Sequence, residues 1–295
     1  MLAGIYASFS GPLSEMQRLQ AAALHGGTCA QITGVAALRH HRLRYLPDES
    51  RVHVLVPPST RRSSRGFVVV STTRRLDDHA RLLPAMEICS VSRAGADAAR
   101  AGYPLREVRA FLAEMVQRRL TTVDALERGA RLGPKRNSAL LRRVIAELTD
   151  GVVSAPEAEL RDLVRGSAIL PAVRWNPALV AADGTALPSP DGLIEDAGLA
   201  LESNSHEFHS SPRDWHRTYH RQNVLAARGV LTLHFTPRDV REDSDQVLAL
   251  IEKAYLERAG SFTGVRDRWH ADRARPGEPG PRSGGVSRGW FWPGR

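Results

Sequence analysis

Two acidic residues of the C-terminal half, Asp191 and Glu202, lie on either side of a predicted β-turn. The short apolar runs at 192–194 and 199–203 predict two strands. If residues 195–198 form a tight turn between them, antiparallel pairing places Asp191 opposite Glu202. Directly opposed residues share a face of the sheet, with Cα atoms roughly 4.5 to 5.5 Å apart.

Carboxylates held this close repel each other unless a cation lies between them. A hard, oxygen-preferring ion such as Mg²⁺ would relieve the repulsion, so Asp191 and Glu202 are predicted metal ligands. Asn204 follows two residues after Glu202 and points to the same face. The alternative is a solvated hairpin with scattered acids, since a register slip of one residue would move every side chain to the other face.

The segments around this pair predict a mixed sheet flanked by helices. Residues 154–157 (Ser-Ala-Pro-Glu) and 211–214 (Ser-Pro-Arg-Asp) have the spacing of capping boxes at helix starts. Residues 230–236 predict a strand, and residues 245–258 predict a closing helix. The order is therefore helix, strand, strand, helix, strand, helix, which is typical of an α/β domain.

Three arginines recur at every fourth position of the helix that begins after Ser211: Arg213, Arg217 and Arg221. This spacing puts them on one helix face. A cationic stripe beside the carboxylates would bind a phosphate backbone without reading its sequence. The alternative is an ordinary solvated face.

Composition limits the function classes. The 295 residues include 41 basic and 32 acidic side chains, a formal net charge of +9. The basic excess is almost entirely arginine, which reflects either coding composition or affinity for polyanions such as nucleic acid. No apolar run approaches the roughly 20 residues that span a membrane. Cys29 and Cys89 stand alone, which argues against a disulfide scaffold and a structural zinc site and favours the cytoplasm.

The rest of the chain divides into a first domain and a tail. Residues 1–150 mix strand-like and helical segments, which predicts an α+β domain, followed by a second domain at 151–260. Residues 51–57 and 66–71 predict adjacent strands in a hairpin with a long connection. Residues 261–295 are rich in Gly, Pro and Arg without periodicity and predict a disordered tail. Three further helices are predicted: one at 104–119, one that Thr121 and Asp124 cap at its start, and one with an apolar stripe at 140–148 that ends at Gly151.

The acids, followed by Glu207-Phe-His209, resemble the PD-(D/E)xK nuclease pattern in its very-short-patch-repair-like form. Over residues 1–260 the chain is similar to actinobacterial AbiEi-family antitoxins and to an endonuclease-like family. The matching segments are 4–7 (Gly-Ile-Tyr-Ala), 31–34 (Gln-Ile-Thr-Gly), 51–55 (Arg-Val-His-Val-Leu), 154–160, 210–215 and 233–237.

This resemblance implies an α+β N-terminal domain followed by an α/β restriction-endonuclease-like domain. It implies that Asp191 and Glu202 hold Mg²⁺ and that a nearby polar group orients water for attack on a phosphodiester. His209 would be a general base or a phosphate ligand, or else only a histidine at a strand end. Glu157 either corresponds to the acid that this fold places on its first helix or serves only as a helix cap.

Two departures from the family pattern weaken the expectation of catalysis. Asn204 replaces an acidic residue, and no lysine occupies the usual position that stabilises developing phosphorane charge. Such relatives also carry a winged-helix segment before the Gly-Val-Tyr pattern. The sequence begins within that pattern, so we expect either that the chain lacks the DNA-reading module or that its true start lies upstream.

Three functions remain open. The first is a DNA-associated, antitoxin-like protein whose endonuclease-like domain is catalytically weak or inactive. The second is an active Mg²⁺-dependent DNA endonuclease, with Asn204 as an adequate substitute ligand. The third is an antitoxin that binds a cognate toxin protein through its N-terminal half and does not act on DNA.

Overall fold

The computed structural model describes residues 2, 4–8, 10–181, 183–203, 212–260 and 265–267, with the backbone alone at 212–215, 217 and 265–267. The chain is a mixed α/β protein in which mixed sheets are flanked by helices. No helix in the described ranges is long and apolar enough to cross a membrane.

The N-terminal part contains a five-stranded sheet in the order β3-β2-β1-β5-β4. Its strands are β1 Gln31–Thr33, β2 Val52–Val56, β3 Val68–Thr72, β4 Arg81–Leu83 and β5 Met86–Ile88. Its helices are α1 Glu15–Gly26, α2 Gly34–His40, α3 Val91–Ala98, α4 Leu105–Gln117, α5 Val123–Leu132 and α6 Ala139–Thr149. Helices α4, α5 and α6 confirm the three predicted in this region, and Thr122, not Thr121, caps α5.

The predicted hairpin in this sheet is wrong. Strands β2 and β3 are neighbours, as expected, but they run parallel, with Val52 beside Val68 and Val56 beside Thr72. The connection between them is long enough to carry the chain back to the starting end of β2. Their alternating composition indicated two strands but could not indicate their relative direction, because the side-chain period of two is the same in both arrangements.

The C-terminal part contains a four-stranded sheet in the order β10-β9-β8-β6 and a two-stranded sheet of β11 and β7. The strands are β6 Arg174–Trp175, β7 Leu179–Ala181, β8 Gly192–Ile194, β9 Leu199–Ser203, β10 Leu231–Phe235 and β11 Val265–Asp267. The helices are α7 Ala155–Arg165, α8 Pro212–Ala226, α9 Pro237–Glu242 and α10 Ser244–Arg258. The predicted order of elements is therefore present, with β6, β7 and α9 added to it.

One short strand falls in the segment predicted to be a disordered tail. Residues 265–267 form β11, which pairs antiparallel with β7, Val265 beside Ala181 and Asp267 beside Leu179. The disorder prediction is wrong for these three residues, because pairing with β7 provides backbone hydrogen bonds that composition alone does not reveal. The rest of that tail lies outside the described residues.

The hairpin of β8 and β9 has the predicted register. Gly192 pairs with Leu201, Leu193 with Ala200 and Ile194 with Leu199. A single 3₁₀ turn connects the strands, and Gly198 closes it with φ of 53°. This left-handed conformation is accessible to glycine at little steric cost.

Apolar side chains form three clusters. The largest extends from Leu2 to Leu148 and ends where we place the boundary between the two domains. The other two lie on opposite faces of the C-terminal sheet. Leu199 and Leu201 pack in the cluster with α7 and α10. Leu193 and Ala200 pack in the cluster with Leu225 of α8.

A buried ion cluster joins the N-terminal helices to α7. The Arg109 guanidinium on α4 donates to Glu147 of α6 at 2.8 and 2.6 Å and to Asp162 of α7 at 2.5 Å. Arg143 contacts the same two carboxylates from a more exposed position. Because the Arg109 side chain is only 5% exposed, its charge depends on these partners for compensation.

Candidate functional site

Asp191 and Glu202 lie on one face of the β8–β9 hairpin. Leu193 and Ala200, two residues from each acid toward the turn, point to the α8 side of the sheet. Side chains alternate along a strand, so the two carboxylates point to the same side. Both are partly buried, and the Glu202 side chain is 16% exposed.

The Asp191 and Glu202 carboxylates are both negatively charged when ionised, and they lie where water solvates them poorly. Burial raises the pKa of Asp191, and the negative charges of Glu157 and Glu202 raise it further. The backbone N–H of Ser203 donates to Asp191 Oδ2 at 2.7 Å and offsets part of this effect. Burial also raises the pKa of Glu202, while Arg221 acts in the opposite direction. The protein therefore favours protonation of this pair, which is the behaviour of carboxylates that lack a sufficient counter-charge.

Glu157 lies at the first turn of α7, and hydrogen bonds occupy both of its carboxylate oxygens. Oε1 accepts from the Ser154 hydroxyl at 2.8 Å, and Oε2 accepts from the Val153 backbone N–H at 3.0 Å and from Asn176 Nδ2 at 2.8 Å. Asn176 also donates its backbone N–H to the Asp191 carbonyl oxygen. In this arrangement Glu157 supports the backbone beside Asp191 while its charge acts on that carboxylate.

A cation and an imidazole lie next to Glu202. Arg221 Nη2 is 3.7 Å from Glu202 Oε1, and it donates to the Ser189 carbonyl oxygen at 2.8 Å. Strand β10 runs parallel to β9 and pairs His234 with Glu202. His234 Nε2 lies 3.2 Å from Gln222 Nε2 on α8, and burial lowers the pKa of the imidazole. A neutral imidazole beside a carboxylate can accept or relay a proton.

The described residues include only part of the predicted site. Asn204 and His209 lie outside them, and so do the side chains of Arg213 and Arg217. The backbone of α8 is described through both of these arginine positions, and their spacing places them on the same helix face as Arg221. Arg221 itself faces the carboxylates as well as solvent.

The carboxylates open into a cleft of about 1030 Å³ between the two parts of the chain. One wall is the C-terminal sheet with α8, and α7 and α9 contribute at its ends. The opposite wall comes from α4 and from the loop that carries Tyr45 and Leu46. Arginines from both sides line it: Arg106, Arg221, Arg238 and Arg241.

The chemistry of Asp191 and Glu202 fits a divalent cation. Both offer hard oxygen ligands in a place where burial raises the pKa of each carboxyl and nearby negative charges raise it further. No group of three or more His, Cys, Asp or Glu in the described part of the chain is arranged to hold a metal ion. Two protein carboxylates are a usual number for Mg²⁺, which keeps several of its waters.

The sequence patterns did not indicate His234, Gln222 or the N-terminal wall as parts of the site. The helix between β9 and β10 could have indicated a parallel neighbour strand, since strand–helix–strand crossovers favour that arrangement. The register that brings His234 beside Glu202 has no local sequence signal. The wall residue Tyr45 precedes Asp191 and Glu202 by well over a hundred positions, so only the tertiary structure brings it into their cleft.

No protein-family model matches the sequence, and comparisons with curated proteins and with solved structures gave no match.

Proposed function

We propose that the chain is a DNA-binding protein with a restriction-endonuclease-like C-terminal domain whose carboxylate pair supports slow, Mg²⁺-dependent phosphodiester cleavage. The observation that carries this proposal is that Asp191 and Glu202, each next to the Gly192–Leu201 pair of the β8–β9 hairpin, line one cleft. The αβ order around the hairpin and its parallel fourth strand are consistent with such a domain.

This proposal assigns a role to each polar side chain of the site. Asp191 and Glu202 would hold Mg²⁺, which supplies Lewis-acid polarisation of a phosphoryl oxygen and a more acidic bound water. Arg221 would bind a neighbouring phosphate oxygen, because its guanidinium is already at the carboxylates and partly exposed. His234 would accept or relay a proton next to Glu202.

The expected activity is low for a reason that the sequence provides. Asn204 offers a neutral oxygen where relatives have an acid, and no lysine occupies the position that stabilises the transition state. Loss of one such charge-stabilising donor typically reduces kcat by about 100- to 1000-fold. An antitoxin-like role with weak cleavage is therefore part of the same proposal.

Plasmid nicking tests the proposal. Purified protein should nick supercoiled plasmid slowly in Mg²⁺ or Mn²⁺ and not in EDTA, and Asp191→Ala should abolish the nicking. Asp78→Ala, which changes an exposed aspartate outside the cleft, is the matched control. DNA binding that falls with salt but gives no nicking in either metal would reduce the proposal to its DNA-binding part. Absence of DNA binding at every salt concentration would refute it and favour the toxin-binding alternative.

A further inference from the structure

Tyr45 presents an aromatic ring in the wall of the cleft opposite the carboxylates. It lies between α2 and β2, lines the same cleft as Asp191 and Glu202, and is 42% exposed. Leu46 beside it and Ala110 and Ala113 of α4 are the apolar residues of this wall, to which α4 also contributes Arg106, Glu107 and Gln117. The cleft therefore has the carboxylates and three of its four arginines on one side, and an exposed aromatic ring among apolar and polar side chains on the other.

A buried carboxylate fixes the loop that carries Tyr45. Glu114 of α4 accepts the backbone N–H of Arg44 at 3.0 and 2.9 Å and that of Tyr45 at 3.0 Å. The Arg118 guanidinium, which donates at 2.8 Å, compensates the charge of Glu114. Glu114 is only 3% exposed, so these bonds form in a place where leaving them unmade would be costly. These hydrogen bonds therefore fix the backbone that carries the exposed Tyr45 ring.

The opposite side of the cleft supplies cations for a phosphate backbone. Arg221 lies at the carboxylates, and Arg238 and Arg241 of α9 line the same cleft. Their guanidinium groups remain partly or largely exposed while paired with single acids. A cationic groove combined with an aromatic surface for the bases is the arrangement by which proteins bind single-stranded nucleic acid.

We infer that the cleft binds single-stranded DNA, with one base stacked on Tyr45 and the adjacent phosphate directed to Asp191 and Glu202. The inference rests on the proposed function and adds the substrate class. A base can stack on a side chain only when its face is free, and in a continuous duplex each face is covered by the neighbouring base pair. The volume of about 1030 Å³ is at the upper end of the range for enclosed ligand sites, which suits a short length of strand.

Fluorescence anisotropy with a labelled oligothymidylate of about 12 nucleotides and a labelled duplex of equal length tests this inference, in Ca²⁺ to separate binding from cleavage. We expect the single strand to bind at least 10-fold more tightly than the duplex. Tyr45→Ala should weaken single-strand binding by roughly 10-fold and leave duplex binding unchanged, because stacking on one base is lost. Tyr45→Phe should bind like the unchanged protein. Tyr6→Ala is the control, since Tyr6 is 87% exposed and outside the cleft.

Two results would overturn the inference in distinguishable ways. Equal affinity for single strand and duplex, with no effect of Tyr45→Ala, would refute the single-strand assignment and leave DNA binding intact. Failure to bind either probe would refute both the inference and the proposed function.

Discussion

The carboxylate pair should reduce the stability of the fold when no cation is bound. Asp191 accepts one backbone hydrogen bond and faces the negative charges of Glu157 and Glu202. Asp191→Asn keeps the shape and the acceptor for Ser203 N–H but removes the charge. We therefore expect the free energy of unfolding in EDTA to increase at pH 8.

The magnitude follows from electrostatics. Two like charges roughly 6 Å apart repel by about 3 kcal/mol at an effective dielectric constant of about 20. Arg221, 3.7 Å from Glu202, offsets part of this repulsion. A gain of about 1 to 3 kcal/mol remains, which corresponds to roughly 2 to 8 °C in Tm for a chain of this size.

The gain should depend on pH with a definite sign. The folded state raises the pKa of Asp191, so between the ordinary pKa of about 3.9 and the raised value the folded protein binds more protons than the unfolded chain. The stability of the unchanged protein therefore falls across this range as pH increases, while the variant does not lose this contribution. The advantage of Asp191→Asn should be small near pH 4 and largest at alkaline pH.

Thermal unfolding from pH 4.5 to 8.5 in EDTA measures this prediction, with Asp78→Asn as an exposed control. Millimolar Mg²⁺ should then raise the Tm of the unchanged protein and have little effect on Asp191→Asn, since a ligand stabilises only the state that binds it. If Asp191→Asn lowers Tm at pH 8 in EDTA, the two carboxylates do not repel each other and the reasoning for a cation site fails.

Two further predictions concern the scaffold. Arg109→Ala should destabilise the protein by about 3 to 5 kcal/mol in guanidinium unfolding, because it removes the buried cation that is bonded to the buried Glu147 carboxylate. Arg143→Ala, which removes a 47% exposed partner of the same carboxylates, should cost less than about 1 kcal/mol, and equal losses would contradict the burial argument. Gly26→Ala should cost about 1 to 3 kcal/mol, because its Cβ would lie 2.6 Å from Ala30 Cβ. Gly129→Ala, whose Cβ would meet only an ordinary contact at 3.6 Å, should be neutral or slightly stabilising in thermal unfolding.

Local patterns were sufficient for the hairpin of β8 and β9. Its register follows from the turn at residues 195–198 and from strand alternation, both of which involve neighbours in the chain. The same reasoning failed for β2 and β3, because their long connection leaves the strand direction undetermined. Short strands such as β6 and β7, of two and three residues, have too few side chains to show a period.

Some residues of the candidate site are also indicated by local sequence, and others are not. Asp191 and Glu202 are on adjacent strands joined by a tight turn, so sequence spacing was informative about their pairing. His234 and Tyr45 reach the site through a crossover helix and through packing of the N-terminal helices, and neither leaves a periodic signal. For Glu157 the sequence could not distinguish a helix-capping role from a role in the site, because both have the same spacing. In the structure its carboxylate oxygens accept hydrogen bonds at the helix cap, and its negative charge raises the pKa of Asp191.

Helix α4 contacts both the loop of Tyr45 and helix α7. Arg106, Arg109 and Ala113 of α4 are separated by three and four positions and so lie along one side of the helix, and Glu114 is the next residue in the chain. Arg106 and Arg109 form ion pairs with α7, Ala113 lines the cleft, and Glu114 holds the loop of Tyr45. In the sequence these positions have only helical spacing, with no signal of the contacts that they make. Helix α4 therefore contacts both α7 and the loop of Tyr45, and the residues that position this wall of the cleft also belong to the packed interior.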